Sequence, residues 1–399
     1  MSKHTEVIVI GGGYAGVMAA NRLTHRDGAT VTLINARPRF VERIRLHQVI
    51  GGSYDAVVDY RKVLAKRVRL VVDTVTRINA AERTVTLESG GTVGYDYLVY
   101  AVGSGSTDQN VPGVTQFAHP VASLEEAQRL RGILDATPSS ASVTVVGAGP
   151  AGIETAAELA EEGRAVTLVC GGPLGPYLHP KGRSSVTKRL AQLGVTVIDG
   201  PDSTATAVTG DAVQLADGRE VPSAVTIWAA GFGVPDLAAR SGLRTDAIGR
   251  LLTDETLTSV DDARIIATGD AAAPSDLPFR MGCQSAVQLG PQAAETVLSR
   301  IAGRQPAPVA AAFLGQCISL GRHAGIFQFA HRYDVAVRLY AGGRFGAWLK
   351  EIVCKSTVKQ LTIEARKPGL LKWWAKDGRR PQLLAAKRGN ASATVPAAQ

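Results

Sequence analysis

Only four cysteines occur in 399 residues. Cys170, Cys283, Cys317 and Cys354 stand far apart, with no CxxC pair and no zinc spacing. That leaves out a disulfide scaffold and a cysteine metal site, and it fits a reducing compartment. No metal is expected. Long apolar runs are also missing, since none reaches the roughly 18 residues needed to span a bilayer. Met1-Ser2-Lys3-His4 leads straight into a strand without a leader pattern, so the expectation is a cytoplasmic protein. The body lacks net charge too. Twelve Lys/Arg against three carboxylates after residue 343 account for the whole +9. Nucleic acid is not among the expected partners.

What is present is glycine in pattern. Val7-Ile8-Val9-Ile10 runs into Gly11-x-Gly13-x-x-Gly16 and a helix-compatible stretch. In a strand–turn–helix of this kind Gly11 permits the tight turn and Gly13 lets backbone approach a pyrophosphate. Gly16 lets the helix pack on the strand. The first turn, with Tyr14 and Ala15, presents free N–H groups to phosphate. The construction recurs at Val143–Val146, Gly147-x-Gly149-Pro150-x-Gly152.

The duplication is larger than the motif. The second strand ends at Asn35, where dinucleotide sites usually place an acid for the ribose hydroxyls. Residues 68–100 read as an antiparallel meander closing into a buried strand that ends at Gly103, and residues 204–231 repeat the plan, ending at Gly231. A third strand, 263–268, ends in Gly269-Asp270. The expected fold is α/β, with two Rossmann-like dinucleotide-binding domains and a short C-terminal helical and basic segment. The expected division is 1–115, first part of the first domain; 116–250, the inserted second domain; 251–305, the rest of the first; and 306–399, a C-terminal segment. Ser123 and Glu126 read as a helix capping box.

Together these residues resemble the two-dinucleotide-domain flavoprotein reductases, of glutathione-reductase-like fold, and within them the type II NADH dehydrogenases. The resemblance implies FAD on the first unit and NAD(P)H on the second, with Asp270 meeting the ribityl–pyrophosphate region. Cys283-Gln284-Ser285-Ala286-Val287-Gln288-Leu289-Gly290 looks like that family's AQxAxQQG helix beside the flavin and quinone channel, which makes Gln284 and Gln288 catalytic candidates. Glu154, after Gly152, matches the acid that the family sets near the nicotinamide–flavin contact. His47-Gln48-Val49 looks like a stretch near the flavin ring, and Arg43 and Arg45 are candidates for stabilising charge there. The disulfide reductases' Cys pair is missing from residues 36–60, and the intact second glycine motif favours a nicotinamide donor. The second strand of that unit ends at Cys170-Gly171-Gly172 without an acid, with Lys181 and Arg183 beyond, so NADPH is expected to be accepted as well.

The implied reaction passes a hydride from NAD(P)H to FAD and then two electrons to a small-molecule acceptor, a quinone. A soluble reductase of a protein carrier or pathway intermediate, and a non-catalytic FAD/NAD redox sensor, are the alternative readings. In the tail, cations interleave with Trp348, Leu349, Ile352, Val353, Leu370, Leu371, Trp373 and Trp374. That pattern suits a segment lying on an anionic membrane, here the inner face of the cell membrane. An oligomer is compatible with the sequence.

Overall fold

The computed structural model describes residues 4–372 and 377–393, so Trp373 and Trp374 lie outside the described residues. A five-stranded parallel sheet forms the first unit, in the spatial order Ile265–Ala267, Tyr97–Tyr100, Thr5–Ile10, Ala29–Asn35, Val68–Val72. Val7 to Ile10 are all buried. A parallel strand covered on both faces reads as a continuous apolar run, which is why no alternation is visible there. The second unit repeats the order with Ala118–Pro120, Val225–Trp228, Ser142–Val146, Ala165–Val169 and Thr196–Ile198.

Residues 68–72 are the point of difference from the sequence reading. They pair in parallel with Ala29–Asn35 at the sheet edge, from Val31↔Val68 to Asn35↔Val72. The meander is therefore three strands, Val75–Asn79, Thr84–Leu87 and Thr92–Gly94. A short β-rich run carries no mark of the partner it will choose. Leu237, Ala238 and Leu243 pack in the core of the first unit, so we place the return crossover before Leu237, earlier than residue 250. The two crossovers meet where Gly105 and Gly233 exchange backbone hydrogen bonds of 2.8 and 3.1 Å. Ser123 and Glu126 form the capping box at the head of the helix Leu124–Ala136.

The helix Tyr14–Leu23 has all ten residues buried. Against it lie the helix Cys283–Ile301 and the helix Gly343–Arg366. A Cβ on Gly290 would stand 2.4 Å from the Ala15 carbonyl oxygen, so only glycine lets the first two approach so closely. The third buries Gly346, Lys350, Cys354, Thr357, Leu361 and Glu364, one stripe at helical spacing. Asn21 donates to Val63 O (2.8 Å) and Leu361 O (3.3 Å), and Arg22 is ion-paired to Glu364 and Glu295. Arg22 also donates to Leu371 O at 2.8 Å. Residues 343–371 are thus packed on the body along one face, while Phe345, Trp348 and Ile352 of the helix stay exposed on the other. An antiparallel sheet, Gly315–Ser319, Gly325–Ala330 and Ala336–Ala341, leads into this helix.

Candidate cofactor and electron-transfer site

Both glycine motifs fold alike. Gly11 (φ 101°) and Gly147 (φ 126°) lie in the left-handed region against the backbone of Ala101 and Ala229. Cβ atoms on Gly16 and Gly152 would stand 1.8 and 1.9 Å from the carbonyl oxygens of Gly11 and Gly147. At Gly13 and Gly149 a Cβ would meet nothing within 4 Å. Each motif therefore makes a cradle with open space over its middle glycine, at the N-terminus of a helix. That is the shape a pyrophosphate requires.

Around the first cradle the distant candidates converge. Gly269 (φ 67°) brings its turn against Ala15, since a Cβ there would be 2.8 Å from the Ala15 Cβ. Asp270 Oδ2 accepts from Ser104 Oγ at 2.7 Å, and its Oδ1 accepts from Gly282 N at 2.9 Å. Arg43 donates to Ser104 Oγ (3.2 Å) and Ala122 O (3.0 Å), beside Gly103. Among the described residues it has no direct ion pair, and its link to the Asp270 carboxylate runs through the Ser104 hydroxyl. Tyr14 packs edge-on against Phe40, with ring centroids 5.1 Å apart, and contributes to the cradle through its place in the first turn. Pro150 is the first residue of the second helix, after its N-cap Gly149, and Gly231 (φ 75°) lies against Gln109 at the neighbouring crossover.

Four groups of candidates have partners within the protein. Asn35 also holds the loop: its Oδ1 accepts from Gly12 N (2.8 Å) and its Nδ2 donates to Arg37 O (2.9 Å). Arg45 is engaged by Glu351 in a two-point contact at 2.9 Å, with Glu42 and Gln48 behind it. Gln288 clamps Ala312 through both ends of its amide (2.9 and 3.1 Å), and the Gln284 amide lies between Gly315 O and Leu314 N. With Gln292 on Ala310 they form a ladder that holds the strand-like segment 310–315 to the helix. Their amides hold this backbone segment in place. Arg183 donates to Leu174 O and is committed to the fold, which leaves Lys181 as the exposed cation of that pair.

Glu154 is buried at a junction that the sequence reading did not foresee. Its Oε1 accepts from Lys350 Nζ at 2.7 Å and from Ser319 N at 2.9 Å. Its Oε2 is 3.3 Å from His47 Nδ1, and His47 Nε2 is 3.4 Å from Arg322. Helices 46–50, 150–161 and 343–366 and the turn at 319–322 all meet here. Burial works against both charges of the central pair. Lys350 and His47 nevertheless hold the Glu154 carboxyl below its ordinary value, and Glu154 keeps Lys350 well above its own. Burial pushes His47 down to about 4, with Lys350 and Arg322 adding to the fall against the pull of Glu154. His47 is therefore neutral at pH 7; with its Nδ1 proton toward Glu154, its Nε2 can accept from Arg322. Lys350 was hidden in the tally of tail cations, and its place on the stripe of Gly346, Cys354 and Thr357 was the sign that it faces inward.

This junction has a pH signature. The unfolded imidazole binds its proton near 6.5 and the folded one near 4. Between those values the unfolded chain holds more protons, so stability falls as pH falls through the window, by on the order of 3 kcal/mol in all. The lowered Glu154 carboxyl has the same sign. Melting followed from pH 7 to 4.5 should show a steady loss that His47→Gln flattens, the amide keeping both contacts. An unchanged slope in that variant would place the acid sensitivity elsewhere.

The family model for pyridine nucleotide-disulphide oxidoreductases matches residues 5–296. The chain belongs to that family. It is an oxidoreductase whose cofactors are FAD and NADH, and the two open cradles are where this structure fits dinucleotides. Among curated relatives, an NADH dehydrogenase-like protein of Mycobacterium tuberculosis is 30% identical over 294 residues, covering 67% of this chain and 73% of its own. The type II NADH:quinone oxidoreductase Ndh of the same organism is 28% identical over 344 residues, 75% and 74% of the two chains. In fold the chain is similar to NDH2 of Plasmodium falciparum, solved with NADH (TM-score 0.76, 17% identity, 94% and 99% covered). It is also similar to the sulfide:quinone oxidoreductase of Aquifex aeolicus (0.73, 21%, 92% and 93%).

Proposed function

We propose that the protein oxidises NADH and reduces a quinone at an anionic membrane surface. FAD, when bound, supplies the chemistry that accepts a hydride and releases electrons in pairs. The chain's part is to hold the two dinucleotides on Gly11–Gly16 and Gly147–Gly152, to fix the Asp270 carboxylate through Ser104 and Gly282, and to keep a proton on a buried ammonium. One observation carries the reading. The helix Gly343–Arg366 has Lys350 on its inner stripe and Phe345, Trp348 and Ile352 on its outer one, 59, 57 and 42% exposed. Phe345 and Trp348 stack at 5.4 Å, and Leu339 of the adjoining strand extends the patch. Arg338, Arg344, Lys355 and Lys359 are exposed around it. An apolar patch rimmed by cations suits the headgroup layer, where each Lys or Arg adds about 1 kcal/mol on an anionic surface. It sets a buried proton carrier one helix width from the lipid that dissolves quinones. Among the described residues no helix is long and apolar enough to cross a membrane.

The test joins two measurements. Anaerobic mixing with NADH should bleach the flavin quickly, and a short-chain quinone should restore its colour with turnover. Rapid bleaching without quinone turnover would redirect the acceptor to a soluble carrier, and no bleaching would favour the redox sensor. Anionic vesicles should sediment the protein at low salt and neutral ones should not. Phe345→Ser/Trp348→Ser/Ile352→Ser should lose sedimentation by at least tenfold while the bleaching rate stays. Removing the tail at residue 368 is a poorer variant, because Gly369 N and Leu371 O are bonded to Glu364 and Arg22.

A further inference from the structure

The loop 271–282 leaves Asp270 and returns to it. Ala272–Pro274 pairs with Leu251–Thr253, and Gly282 closes the loop by donating to Asp270. Between these ends Ser275 and Asp276 take successive left-handed φ values of 51° and 52°. Non-glycine residues hold such a backbone only where neighbours fix it. Here the neighbours are two cations of the last described segment. Arg380 forks onto Glu255 at 2.7 and 2.8 Å and donates to Pro274 O and Leu277 O, each at 3.0 Å. Its guanidinium lies 4.3 Å over the ring of Phe279. Lys387 Nζ donates to Ser275 O (3.2 Å), to Asp276 O (2.8 Å) and to the Asp276 carboxylate (2.5 Å). Four successive carbonyls, 274 to 277, are thus bound from the C-terminal segment.

We propose that residues 377–387 form a strap whose clasp is Arg380, a positioning residue that fixes the flavin seat through loop 271–282. The inference rests on the reading that Asp270 faces FAD. The path is short: clasp, left-handed turn, Gly282 N–H, Asp270 carboxylate. It also gives the tail's positive charge a second use, on Glu255 and Asp276 of the body. Only a guanidinium has a planar fork that serves a carboxylate and two carbonyls at once. A lysine there reaches some of these acceptors and not all.

The experiment is carried out on the full-length holoprotein, reading the FAD dissociation rate and the visible circular dichroism of the bound flavin. Arg380→Ala should release FAD at least tenfold faster and change the dichroic bands, with Arg380→Lys in between. Glu255→Gln in the Arg380→Ala background should add little, since the contact is already lost. If Arg380→Ala does not fold, Lys387→Ala, which removes a half-buried side chain at the surface, should still raise release severalfold. FAD release and dichroism unchanged in whichever of these variants folds would overturn the strap. Asp270→Ala separates the two levels: if it alone retains FAD normally, the reading of the seat fails, whereas loss of FAD there with none in Arg380→Ala fails the strap only.

Discussion

Lys350→Ala should destabilise the folded protein by on the order of 3 kcal/mol near neutral pH, among the larger losses available to one side chain. The reason is what it leaves behind. Glu154 is buried, and Lys350 is the full positive charge bonded to it. Without the ammonium the carboxylate keeps only the Ser319 N–H and a neutral imidazole. Removing one partner of such a pair costs more than replacing both, so Glu154→Gln in the same background should recover most of the loss. His47 supplies the sign of the pH effect. Lys350 is among the groups that lower it, so its removal lets the imidazole take a proton at mild acidity and pair with Glu154. The destabilisation read from denaturant titration should therefore shrink between pH 7.5 and 5.5. A deficit that is flat with pH, or a double variant as unstable as the single one, would mean that the pair is not the source of the loss. In the functional reading the single variant should slow reoxidation by quinone and spare flavin reduction by NADH.

The architecture was legible because it depends on local rules. A run of β-branched residues, a glycine triad and an alanine-rich helix state their own geometry, and stating it twice fixed both units. Asp270 and Gly103 could be placed for the same reason: each ends a buried strand of the first sheet. Side chains whose role depends on distant partners could not be placed. Lys350 lies 196 positions along the chain from Glu154, and nothing near it in sequence says that the two meet. Asn35 has the right position for a ribose, and its bond from the Gly12 N–H, a contact across 23 positions, is not visible in the sequence. Gln284 and Gln288 show the expected spacing on one helix face, but the segment they hold arrives from residues 310–315, beyond the loop 303–308. Charge counting misled most. It totals cations without their partners, and Lys350, Arg380 and Lys387 each point at a carboxylate of the body.

The second cradle offers a paired result in which two glycines of one motif fail differently. A methyl group on Gly152 would stand 1.9 Å from the Gly147 carbonyl oxygen, and that contact is backbone against backbone. Gly152→Ala must push the helix Pro150–Glu161 off its strand, which moves Glu154 as well. The expected outcome is a lower yield, earlier melting, and weaker NADH and FAD binding together. A methyl group on Gly149 meets no protein atom within 4 Å and fits the fold at no cost in packing. It does occupy the space over the helix N-terminus where a pyrophosphate must approach backbone N–H groups. Gly149→Ala should therefore melt like the parent and keep its yellow colour, while KM for NADH rises by about a hundredfold, near 2.7 kcal/mol of lost binding. Titration with NADH in stopped-flow reduction reads that change directly. Because the first cradle is untouched, the flavin content should stay full. An equal KM in Gly149→Ala would remove the second motif as the NADH seat, and loss of FAD in that variant would mean that the two cradles hold the dinucleotides in the reverse order.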